Sequence, residues 1–158
     1  MGEVDPSPTR VVADADVLAA DLLVGGAARD ALDHLRSHSW MTLVASPALL
    51  DDAEAVIARL ADEELAADWR ARVDEWVELV DHPEGDQPAL AAAYRGGAMH
   101  LLTLDEKLQS VTAGATLSGR FPVSIREPRA FATLFAPESL YAEVESGAYP
   151  GPDRDPRD

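Results

Sequence analysis

The chain has 158 residues, enough for one domain with a buried core, and no cysteine, which excludes a disulfide framework and a thiolate zinc site. Its formal net charge is −16, from 29 acidic and 13 basic residues, and every basic residue except Lys107 is arginine. Such a surface repels nucleic acid at low salt. It is also the composition expected of a protein from a salt-adapted cell, where the Debye length shrinks to about 3 Å at molar salt.

Residues 1–9 carry two prolines and no apolar periodicity, so a loose arm is expected there, followed by one domain over 10–137. The opening residues lack the basic-then-apolar order of a signal peptide. All apolar runs are far shorter than a bilayer span, so the expectation is no membrane segment and a cytoplasmic location. Val11 to Ala13 reads as a short buried strand that runs into Asp14 and, one residue further, Asp16. Asp30 to Ser37 is helical, and "MTLVAS" (41–46) is a second strand. "SPALLDDAEAVIARL" opens a helix, with Ser46 as N-cap and Pro47 at the first helical position. Leu65, Trp69, Val73, Trp76, Val77 and Val80 fall three or four apart, which predicts a longer helix from Ala61 to Val80.

Asp86 to Arg95 reads as another helix, stopped by Gly96 and Gly97. "MHLLTL" (99–104) is a third strand, with a short helix from about Asp105. "FPVSIR" (121–126) is a fourth strand, and Pro128 starts a last helix through Leu134. Residues 138–158 read as an extension, disordered from Gly151. Strands alternating with helices predict an α/β fold, a three-layer α/β/α sandwich around a parallel sheet. In such folds the working groups lie just outside the carboxyl ends of the strands.

The acids fall at those ends. Asp14 and Asp16 end the first strand, Asp105 ends the third, and Asp86 opens a helix after the turn "HPEG" (82–85). The helix after Ser46 offers Asp51, Asp52 and Glu54. At 100° per residue Asp51 points away from the apolar face, whereas Asp52 and Glu54 lie at its two edges, and periodicity leaves both open. Two unit charges 4 Å apart repel by about 4 kcal/mol at an effective dielectric near 20, and several such pairs rival the roughly 5–15 kcal/mol that holds a domain together. Protons or a hard divalent cation must relieve a converging cluster, and oxygen-only donors favour Mg²⁺ or Mn²⁺. A cation held with open positions supports in-line displacement at phosphorus. The plainer alternative is that Asp86 and Asp105 cap helices and fill turns.

The order of these motifs resembles the PIN domain, a family of metal-dependent ribonucleases, over about residues 11–135. "VVADADVL" matches its opening strand and first acid at Asp14, with Asp16 where the family often has Asn. "SPALLDDAEAVI" places Asp52 where the family usually has Glu, a departure that keeps Glu54 in reserve. "GDQPALAAAYRGGA" matches with Asp86, and "LLTLDEKL" with Thr103 and Asp105. "FPVSIREPRAF" matches the closing strand and helix. The resemblance implies that Asp14, Asp86 and Asp105 hold Mg²⁺ or Mn²⁺, with Asp52 binding directly or through water. Thr103 would orient a carboxylate or a ligating water, and Asp16 would stand behind the ligands. The implied activity is endonucleolytic cleavage of RNA, most simply single-stranded, and many small members pair with an antitoxin protein.

Other residues invite duller readings. His34 and His38 sit four apart on a helix and are expected to face solvent rather than a metal. His82 reads as a loop residue. Trp69 and Trp76 suit a core or a homodimer face better than base stacking. Arg95, Arg120, Arg126 and Lys107 are the cations available for phosphates. Two rival functions stand beside the nuclease. "DADVL" also resembles the opening of haloacid-dehalogenase-like phosphatases, with Asp14 as nucleophile and Asp16 as general acid. A PIN-like fold with a degraded site would be a binding module.

Overall fold

The computed structural model describes residues 5–82, 87–109, 123–145 and 147–154. Five parallel strands, β1 (Ser7–Ala13), β2 (Thr42–Ala45), β3 (Glu78–Leu79), β4 (Ala98–Leu102) and β5 (Ser124–Arg126), form one sheet in the order β3-β2-β1-β4-β5. Helices flank it: α1 (Ala15–Leu23), α2 (Gly26–Arg36), α3 (Pro47–Leu60), α4 (Glu63–Trp76), α5 (Pro88–Arg95), α6 (Glu106–Gln109), α7 (Pro128–Leu134) and α8 (Pro137–Val144). The result is the three-layer α/β/α sandwich the alternation predicts. A strand covered on both faces cannot alternate polar with apolar. Accordingly Val11, Val12, Ala13, Leu43, Val44, Ala45, Leu101 and Leu102 are all buried. Among the described residues no helix is long and apolar enough to cross a membrane.

The start of α3 follows its sequence signals. Ser46 accepts the Leu49 amide through Oγ at 3.1 Å, Pro47 occupies the first turn, and Leu49, Leu50, Ala53 and Ile57 are buried. The end of α5 needs glycine because of a neighbour. A Cβ on Gly96 would lie 2.3 Å from Val44 Cγ1 on β2, so the helix can approach the sheet only without a side chain there. Gly25 and Gly26 turn α1 into α2 with φ of 84° and 54°, a region other residues rarely adopt.

Several boundaries differ from the sequence reading. β1 begins at Ser7, inside the expected arm, because the Ser7 amide donates to the Gly97 carbonyl at 2.9 Å and Ser7 pairs with Ala98. Arg10 hides this strand in the sequence. Its guanidinium bonds the Gly96 carbonyl at 2.5 Å and forks onto the Glu78 carboxylate on β3, with Oε1 at 3.2 Å. The single helix expected over 61–80 is instead α4, capped by Asp62, followed by the edge strand β3. Val77 is extended at φ −80°, ψ 156°, and the Val80 amide donates to the Ala45 carbonyl at 2.9 Å. Val77 and Val80 continue the helical stripe by spacing, yet they flank a strand and pack partly buried against the core.

The carboxyl-terminal segment is also tied down where disorder was expected. Asp153 Oδ1 accepts the Ser39 amide at 2.7 Å, the Asp153 amide donates to the Ser37 carbonyl at 2.9 Å, and Arg154 donates to the His38 carbonyl at 3.1 Å. His38 does not face solvent. It is 2 % exposed, its Nδ1 lies 2.7 Å from the His34 carbonyl, and its Nε2 lies 2.7 Å from the Tyr149 hydroxyl. A carbonyl can only accept, so Nδ1 carries the proton and Nε2 receives the Tyr149 O–H in the neutral ring. Trp69 and Trp76 pack half-buried against the core, which favours the core reading of that stripe.

Candidate functional site

The strand order reverses between β1 and β4. The chain leaves β1 outward to β2 and β3, then crosses back to β4 and β5. Open parallel sheets bind ligands at such a reversal, outside the carboxyl ends of the strands. Asp14 leaves β1 there and Thr103 leaves β4 beside it.

The backbone locks the two together. The Asp14 amide donates to the Leu102 carbonyl at 2.8 Å, continuing the ladder one step past the strands. Asp14 is also the N-cap of α1, with Oδ1 accepting the Ala15 amide at 2.8 Å. Oδ2 accepts the Thr103 hydroxyl at 2.9 Å, and that hydroxyl accepts the Asp105 amide at 3.1 Å. Thr103 is fully buried, and its own amide donates to the Arg126 carbonyl at 3.0 Å. A side chain that donates to one acid and accepts from the backbone of another fixes their relative position. Asp105 Oδ1 accepts the Lys107 amide at 2.9 Å.

Asp16 completes the group. Its Oδ2 accepts the Leu104 amide at 3.2 Å, whereas Oδ1 is buried with no partner. Burial, then the Asp14 charge, push the Asp16 carboxyl up to about 6 from its ordinary 3.8, with Asp105 adding to the rise and the Leu104 and Val17 amides opposing it. The folded protein therefore holds this proton more tightly than the unfolded chain. The corresponding stability is fully present below pH 3.8 and is lost as pH rises to about 6. Asp16→Asn is expected to stabilise the metal-free protein at pH 7 by about 1–2 kcal/mol, after allowance for solvent screening, and to leave pH 3.5 stability unchanged. Urea unfolding in EDTA at both pH values measures this.

This donor set suits a hard cation: oxygen only, mutually repelling, with one buried oxygen unsatisfied. Among the described residues, however, no three His, Asp or Glu groups are placed to hold a metal ion together. Asp86 and Arg120 lie outside the described residues. Asp52 is exposed on α3. Its neighbours are committed elsewhere, since Arg70 on α4 binds Asp51 at 2.8 Å and Glu54 at 3.0 Å. Two residues apart on the helix, Asp52 points about 160° away from Glu54. His82, read as a loop residue, places Nε2 2.8 Å from Ser46 Oγ and so fastens the chain beyond β3 to the carboxyl end of β2.

Sequence reasoning missed two participants: the Leu104 amide, which holds Asp16, and the Arg126 carbonyl, which holds Thr103. Both act through the backbone, so no residue type marks them. Leu104 also leaves its apolar side chain 50 % exposed beside the acids.

No curated protein matches this chain. One family model does, over residues 5–157, and with nearly the whole sequence covered the chain belongs to the family of unknown function DUF7384.

Proposed function

We propose that the protein is a metal-dependent endoribonuclease of the PIN type, acting on short single-stranded RNA. The observation that carries this reading is the bridge from Thr103 to Asp14 and Asp105 at the strand-order reversal, beside an Asp16 with an unsatisfied buried oxygen. Asp14, Asp105 and Asp86 are the residues that would hold Mg²⁺ or Mn²⁺, with Asp52 approaching from α3 directly or through water. Such a cation, when bound, supplies an activated water and offsets charge on the phosphate being cleaved. Thr103 then keeps the Asp14 carboxylate in one orientation, which spares reorganisation when substrate arrives. Asp16 stands behind the ligands, and Lys107 is a cation near the strand ends that can meet the phosphate backbone.

The negative surface sets the conditions. RNA is repelled at low ionic strength, so activity on a short single strand is expected to rise with salt toward molar levels. The test is cleavage of a mixed RNA pool with Mn²⁺, by the wild type and Asp14→Asn, across a salt series. Greatest activity at low salt refutes the salt-adapted reading. An absence of cleavage by the wild type at every salt favours the second reading, a binding module with a degraded site, to which the short and exposed Asp52 already points. Both Asp14 carboxylate oxygens accept hydrogen bonds, which disfavours the phosphatase reading. Trapping of a phosphoenzyme at Asp14 would reinstate it. A homodimer and an antitoxin-type protein partner are further proposals carried by the resemblance.

A further inference from the structure

A second cleft lies on the sheet face beneath α7 and α8, lined by side chains other than those of the acid patch. His100 pairs with Ser124 and Leu102 with Arg126 across β4 and β5. Side chains two apart on a strand share a face, so His100 and Arg126 emerge on the same side. They line a cleft of about 260 Å³ whose walls include Phe131, Leu134 and Leu140. This is just below the roughly 300–1,000 Å³ usual for small-molecule pockets, so only a small ligand fits.

We propose that this cleft binds a small apolar molecule carrying a single carboxylate. Arg126 has no ion-pair partner among the described residues, in a chain where acids outnumber bases 29 to 13. A half-buried guanidinium left unpaired is costly, and a carboxylate is the partner its fork fits in two parallel bonds. His100 adds a second unsatisfied group, because its Nδ1 is buried without a hydrogen bond. Burial and the Arg126 charge hold the imidazole below its ordinary range, so it stays neutral at pH 7 and can bond a ligand without adding charge. The ring edge packs on Phe131 at 5.7 Å between centroids, which continues the apolar wall. Leu134, 62 % exposed at the mouth, gains burial from an apolar body in the cleft. Glu143, exposed on the rim, weighs against a dianion and so selects one negative charge over a phosphate.

The test uses benzoate as probe on the full chain in EDTA, followed by the NMR signals of the His100 ring. Benzoate is expected to shift those signals saturably. Benzyl alcohol, benzylamine and inorganic phosphate are each expected to bind at least about tenfold more weakly. Arg126→Gln should weaken benzoate at least about tenfold, and Leu134→Glu, a change at an exposed position, should do the same by placing a negative charge at the mouth. Asp14→Asn should leave benzoate binding unchanged, which separates this site from the acid patch. No saturable shift with benzoate overturns the proposal. So does undiminished binding in Arg126→Gln or Leu134→Glu, or phosphate binding as tightly as benzoate.

Discussion

Asp14→Asn is expected to abolish the rise in melting temperature that Mn²⁺ gives the wild type, without unfolding the protein. The substitution keeps the shape. The amide oxygen can still accept from Ala15, and the amide nitrogen can donate to the Thr103 hydroxyl in place of the bond now made to Oδ2. Only the charge is lost, and with it part of the repulsion acting on Asp16. The metal-free variant should therefore melt no lower than the wild type. At 100 times the dissociation constant, a ligand bound only to the native state adds about 2.7 kcal/mol, which for a chain of this size is roughly 5–10 °C. Thr103→Val should reduce metal affinity by about 10–100-fold, the usual effect of removing a group that orients a ligand. RNA cleavage by Asp14→Asn should fall at least about 100-fold. A wild-type melting temperature indifferent to millimolar Mn²⁺ sinks the metal-site reading.

The second large effect is structural. Asp21 on α1 is only 6 % exposed, and Arg36 on α2 grips both of its oxygens, with Nη1 2.9 Å from Oδ1. The same guanidinium binds Asp33 at 2.8 Å and lies 5.1 Å over the Trp76 ring of α4. One cation thus joins three helices. Arg36→Ala strands Asp21 in the core and should cost about 3–5 kcal/mol, seen as a fall of roughly 6–20 °C in melting temperature. Combining it with Asp21→Leu should recover much of that loss, because an apolar pair has no charge to desolvate. A loss below about 1 kcal/mol in Arg36→Ala would mean that Asp21 reaches solvent more easily than its burial implies.

The sheet architecture was legible because β1, β2 and β4 announce themselves as short apolar runs, with helix signals at Ser46-Pro47 after β2 and Gly96-Gly97 before β4. β3 was not, since Val77 and Val80 on either side of it continue a helical spacing, and only the pairing of Glu78 and Leu79 with Val44 and Ala45 makes the segment strand. His38 read as solvent-facing and the segment around Asp153 as disordered, but partners more than 100 positions away bury the one and tie the other. In the site, Asp14 and Asp105 could be named from strand ends, because a parallel sheet gathers its carboxyl termini along one edge, whereas Thr103 was marked only by the family resemblance of "LLTLDEKL". Periodicity left Asp52 and Glu54 both open, and it could not show that Arg70 engages Glu54, because that reach across from α4 depends on how two helices pack.

The bond from Thr103 to Asp14 spans 89 positions, and β4 takes its place beside β1 only after β2 and β3 have been made. On the ribosome, at about 5–20 residues per second, that interval lasts roughly 4–18 s. Throughout it the nascent chain displays Asp14 without the hydroxyl that aims it and without Asp105. Translation order alone therefore delays the Thr103–Asp14 bond until β4 has emerged, and a prematurely terminated product lacking β4 would leave Asp14 without that partner.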